Sequence, residues 1–161
     1  MSVAIINPAS VAFNNGGWSG SIAVVTDGSD ATWDEPTVAG TILYNPVPGQ
    51  VPVTAAVINS IKVKGRGLAT SAASATFLAR VDLGGNTTSQ GGFGPLDPVG
   101  NWDSGAMARP GGGSWVAADI DSITFGGFGN WGGGPPDPPD LVEIWLEVDF
   151  TPRAAGFSFI L

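Results

Sequence analysis

Histidine and cysteine are both absent from the 161 residues of this chain. Without cysteine there is no disulfide, no thiol nucleophile and no cysteine-ligated zinc, and the redox compartment is left open. Without histidine, the side chain most often used as a general base and metal ligand is missing too. Charge is scarce: 12% of residues are charged, about half of the ~25% usual in soluble domains. So thin a charge suggests that part of the surface is covered by another chain, because large uncharged patches mark interaction sites. The charge present is acidic, with a net value of −8 and a pI near 4.1. A nucleic-acid binder needs a basic footprint to displace counterions from phosphates, so nucleic acid is not an expected partner. No stretch approaches the ~20 apolar residues that span a bilayer, and no membrane role is expected. Met1–Pro8 lacks a basic n-region and carries only the short apolar run Val3-Ala4-Ile5-Ile6, so no secretory leader is expected.

What is present is strand. Residues 141–151 alternate strictly: Val142, Ile144, Leu146, Val148 and Phe150 on one face, Glu143, Trp145, Glu147 and Asp149 on the other. Period two is what a half-buried strand requires, since successive side chains point to opposite faces. Further strands are expected at 3–6, 21–26, 40–44, 59–68, 75–83, 115–125 and 157–161, separated by turn chemistry such as Asn14-Asn15-Gly16-Gly17, Asp27-Gly28 and Gly84-Gly85-Asn86. No convincing helix is seen. This punctuation predicts one all-β domain over 1–161, an antiparallel β-sandwich of jelly-roll type with a glycine-poor core and apolar arms at 1–8 and 154–161. Segments 84–113 and 126–140 read as long Gly/Pro-rich loops, where function or contacts concentrate.

No catalytic residue, metal or cofactor is expected. Glu143 and Glu147 share a strand face, yet four residues place them ~13 Å apart, beyond even the ~6.5–9.5 Å of an inverting glycosidase. Asp119 and Asp121 are read as an exposed strand edge. Asp27-Gly28-Ser29-Asp30, with Asp34 and Glu35 nearby, is oxygen-rich like a calcium loop but lacks EF-hand spacing, and an Asx turn is the simpler reading. Lys62, Lys64 and Arg66 form one positive stripe, which Arg80 joins if 75–83 pairs with it as a hairpin. The stripe either meets acidic groups such as Glu143, Glu147 and Asp149 of an adjacent copy, pairs across strands within one chain, or guards an edge strand against aggregation.

Six tryptophans complete the pattern. Trp115 is expected in or beside a sheet. Trp145 shares a charged face, so a loop, a partner or a ligand must cover it. Trp18, Trp33, Trp102 and Trp131 lie in or beside Gly-rich loops, where they pin the loop, anchor a protein interface or stack on sugars. Partner contacts are expected from Trp102, Phe128 and Trp131. The apolar run 157–161 either adds a strand to its own sheet or gives subunit contacts through Phe157, Phe159 and Ile160.

The order of these features resembles the jelly-roll modules of tailed-bacteriophage structural proteins. It is carried by Gly17-Trp18, by Asp27…Asp30-Ala31-Thr32, by Ile61-Lys62-Val63-Lys64-Gly65-Arg66-Gly67 with 76–83 following, and by the closing Val142-Glu143-Ile144-Trp145-Leu146-Glu147-Val148. Segments 126–140 and 157–161 depart from the pattern. The resemblance implies a non-enzymatic capsid decoration (cement) protein, made in the host cytoplasm and located on the outer capsid surface of the virion. Its partner would be the major capsid protein, and it would act as a homo-oligomer, with a trimer favoured. The likeness extends loosely to carbohydrate-binding modules, which implies the alternative of a receptor-binding module on a phage tail or fibre.

Overall fold

Strict alternation in the sequence becomes the spine of the fold. In the computed structural model, which describes residues 1–29, 31–51, 55–69, 75–94, 96–131 and 138–153 (side chains of 55, 56, 96 and 97 excepted), strand β9 (Asp140–Pro152) buries Ile144, Leu146, Val148 and Phe150 and turns Glu143, Trp145, Glu147 and Asp149 outward. Eight further strands precede it: β1 (Ser2–Ile6), β2 (Pro8–Asn14), β3 (Gly40–Pro46), β4 (Ala55–Ala69), β5 (Thr76–Leu83), β6 (Asn86–Phe93), β7 (Leu96–Asp103) and β8 (Thr124–Asn130). They form an antiparallel sheet in the order β1-β9-β4-β7-β6-β5-β8-β3-β2. The chain is all-β, as expected.

The sheet curls into two halves. β1-β9-β4-β7 and β6-β5-β8-β3-β2 are each laced by long ladders, whereas β6 and β7 meet at the single pair Gly92↔Asp103. That thin seam lets the inner faces converge on one core, which holds Ile61, Val63 and Leu146 from the first half and Tyr44, Phe77 and Phe125 from the second. Phe77 is its aromatic hub. Its ring centroid lies 5.9 Å from Trp18, 5.4 Å from Phe93 and 5.4 Å from Trp102.

A glycine-poor core does not fit this architecture. Gly65, Gly67, Gly126, Gly127 and Gly129 are buried strand residues. At Gly67 a Cβ would sit 2.5 Å from Cζ of Phe93, and at Gly129 one would sit 2.5 Å from Cζ2 of Trp18. Large rings press on the strand backbone there, so a side chain has no room.

Glycine also hides strands from the sequence pattern. Segment 84–113 is not one loop, since it contains β6 and β7, and 126–140 begins with a central strand, β8. Glycine and threonine carry no period-two hydrophobic signal, which hides strands held by their neighbours. β2 is also unforeseen: it starts at a proline and is bulged twice, as edge strands allow. Residues 21–26 hold a 3₁₀ turn at Val24–Thr26, and 115–125 holds a short helix α1 (Ala117–Ile120) before β8. β5 pairs with β6 and β8, not β4. Residues 157–161 lie outside the described residues.

Candidate functional site

Two outer surfaces stand out, one polar and one apolar. The polar one is built by register. Across β9, β4 and β7, Trp145 opposes Lys64, which opposes Asp103; in the next row Glu143 opposes Arg66, which opposes Asn101. Directly opposed residues share a face, so both rows point outward on the first half. Lys64 Nζ donates to Glu147 Oε2 at 2.9 Å and lies 3.3 Å from Asp103 Oδ2. Lys62 Nζ lies 3.6 Å from the same Asp103 oxygen, and an Arg66 guanidinium nitrogen lies 3.7 Å from Glu143.

The basic stripe is therefore answered within its own chain, by Glu143 and Glu147 of the same copy and by Asp103. Cross-strand pairing, one of the three expectations, accounts for Lys62, Lys64 and Arg66, and β4 lies between β9 and β7, not at an edge. Arg80 stands in the other half, where it forks onto both oxygens of Asp82 at 2.9 and 2.8 Å. The hydrogen bond to Glu147 raises the Lys64 pKa. Partial burial opposes ionisation of Asp103, but the Gly105 amide and Lys64 outweigh it and hold the carboxyl below its usual value. In this lattice a cleft of about 410 Å³ opens, lined by Lys64, Asn101, Trp102, Asp103 and half-buried Trp145.

The apolar surface lies on the second half. Leu78 of β5 opposes Phe128 of β8 and Gly92 of β6. Gly91 and Gly92 have positive φ, 59° and 111°, and the β5–β6 register slips beside them, so no side chain rises between Leu78 and the β6–β7 seam. The result is a depression of about 560 Å³ lined by Phe77, Leu78, Phe93, Phe128 and the flanking Thr76 and Asn130, with glycines 91, 92 and 94 and no charged residue. Leu78 is 41% exposed there.

Of the expected contact residues, Phe128 reaches this surface, from a strand and not from a loop. Trp102 requires correction. It stands on β7, only 6% exposed, packed against Phe77 and Phe93, because Gly65 directly opposite leaves room for its indole. Trp131 follows β8 and is half-buried. Phe157, Phe159 and Ile160 lie outside the described residues. Trp18 and Trp115 are buried as loop pins, their indole N–H groups donating to Gly40 O at 3.2 Å and Met107 O at 2.9 Å.

Asp27, Asp119 and Asp34 hold the chain to itself. Asp27 accepts from the Ser29 amide at 2.8 Å and the Thr32 hydroxyl at 2.6 Å, an Asx turn, and the Thr32 bond leads in lowering its pKa. Asp119 is not on an exposed strand edge. It is buried in α1, binds Arg109 through both oxygens at 2.8 and 3.0 Å, and caps the Val116 amide. Asp34 is fully buried, accepting from the Ser19 and Gly20 amides and from Tyr44, and burial raises its pKa. Among the described residues no three acidic side chains gather closely enough to hold a metal ion. Comparison with family models, curated proteins and solved structures finds no match to this chain.

Proposed function

We propose that this chain is a non-enzymatic structural protein of a bacteriophage virion, a capsid decoration protein that binds the outer shell and stabilises it. The observation that carries the reading is the uncharged depression around Leu78 and Phe128. It leaves Leu78 exposed and Phe128 half-buried on a strand face, where a solitary protein gains nothing from an open apolar side chain. Supporting it are the all-β frame, in which chain-consecutive strands cross repeatedly between two halves as in a jelly roll, and the thin surface charge.

In this reading the depression docks on an apolar projection of the major capsid protein. A molecule that binds only assembled shell shifts the assembly equilibrium by mass action, so decoration stabilises without catalysis. Phe157, Phe159 and Ile160 supply contacts between copies in a homo-oligomer, a trimer matching a shell symmetry axis. Quantitative mass spectrometry of purified virions tests the assignment. Copies on the scale of the shell protein are expected, and complete absence from the particle would overturn it.

A further inference from the structure

We infer that the cleft beside Trp145 is a binding site for a neutral carbohydrate. It lies on the opposite half of the fold from the Leu78–Phe128 depression, so the inference stands independently of the capsid reading.

The site combines an aromatic face with fixed polar groups. Trp145 stands outward on a sheet face between Glu143 and Glu147, half-buried, and packs on no other ring among the described residues. Its neighbours in register are Lys64 and, two strands away, Asp103, with Asn101 one row along. Two strand spacings put about 9.5 Å between the strand carrying the indole and the strand carrying the carboxylate. The cleft's volume, about 410 Å³, falls in the ~300–1,000 Å³ range of small-ligand sites.

The chemistry of the lining selects the ligand class. Among the described residues Lys62, Lys64 and Arg66 are set against Asp103, Glu143 and Glu147, so the charges of these ion pairs balance. A phosphate or a polyanion finds no excess positive charge here, and a polycation finds no excess negative charge. What the cleft offers is donors from Lys64, acceptors from Asp103, both from Asn101, and a flat apolar face from Trp145. A sugar ring matches that combination. Its C–H face packs on the indole, and its hydroxyls both donate and accept. Ion pairs already hold Lys64 and Asp103 in place, so little side-chain freedom remains to be lost on binding.

The test is isothermal titration of the intact protein with neutral hexasaccharides of glucose, mannose, galactose and N-acetylglucosamine, beside an acidic oligogalacturonate and a neutral aromatic peptide. At least one neutral saccharide should bind. Trp145→Ala should weaken that binding about tenfold or more, the scale of one lost aromatic contact. Asn101→Ala, at an exposed position where folding is not at stake, should weaken it severalfold, and Trp33→Ala, at an exposed indole outside the cleft, should leave it unchanged. The inference is overturned if no neutral saccharide binds at millimolar concentration. It is equally overturned if Asn101→Ala and a folded Trp145→Ala bind as the parent does, or if only the acidic oligosaccharide or the peptide binds.

Discussion

The ring of Phe93, on β6, fills the space that a side chain at Gly67, on β4, would occupy: the three atoms nearest to a Cβ built there all belong to that ring, at 2.5 to 2.9 Å. The two strands belong to different halves of the sheet, so this pair shows how closely the halves approach. Gly67→Ala should destabilise the fold by about 1–3 kcal/mol, the usual cost of overpacking. Because the conflict is with one side chain, Gly67→Ala combined with Phe93→Leu should cost less than the sum of the single changes, by at least ~0.5 kcal/mol. Urea denaturation of the four proteins measures this, and strict additivity would refute the contact.

The acidic groups should titrate in opposite directions. Asp119, held by Arg109 and the Val116 amide, has its pKa below the ordinary 3.8, and so does Asp103. Their contribution to stability is complete above 3.8 and is lost as pH falls through the lower, folded-state values. Asp34 has the opposite sign, because burial raises its pKa. The protonated form favours the fold, and that contribution disappears as pH rises from 3.8 through the raised value. Carbon-13 NMR of the aspartate carboxyls should place Asp34 above 3.8 and both others below it.

Asp119 also ties the 107–116 connection to the helix start. Asp119→Ala leaves the Val116 amide and the Arg109 guanidinium without it, and should cost about 1–3 kcal/mol near neutral pH. The loss relative to the parent should shrink in acid, where Asp119 itself is protonated. Thermal unfolding at two pH values would reveal this, and an equal loss at both would contradict the pairing.

The stripe of Lys62, Lys64 and Arg66 should behave as an internal ladder. Lys64→Glu should destabilise modestly, and Lys64→Glu with Glu147→Lys should recover part of that loss, since a surface pair contributes only ~0–1 kcal/mol. The association state measured by sedimentation should stay unchanged in both. A change of association state would restore the intermolecular reading of the stripe.

Strands marked by apolar alternation, as in β9, β5 and part of β4, or by a short apolar run, as in β3 and β1, are legible in the sequence, and each overlaps the segment expected for it. β6, β7 and β8 were hidden for a common reason. In β8, Gly127 and Gly129 are strand positions because the rings of Phe77 and Trp18 need the space, while Gly126, and Gly92 of β6, lie against the backbone of a neighbouring strand; neither need exists until the strands are packed. The same blindness affected the site. Trp102 reads as a contact residue because glycines flank it in sequence, yet the glycine that decides its place is Gly65 of β4, whose missing side chain lets the indole pack inward. Trp145 was correctly seen as an indole on a charged face. That Lys64, Asp103 and Asn101 lie beside it is set by β4–β7 pairing, which no local signal announces.

The central claim is that the Leu78–Phe128 face docks on a shell while the Trp145 face stays open. Hydroxyl-radical footprinting of the protein free and bound to purified shells tests it directly. Leu78 and Phe128 should become protected on binding, with Trp145 as reactive as before. Protection of Trp145 with Leu78 and Phe128 unchanged would contradict the account.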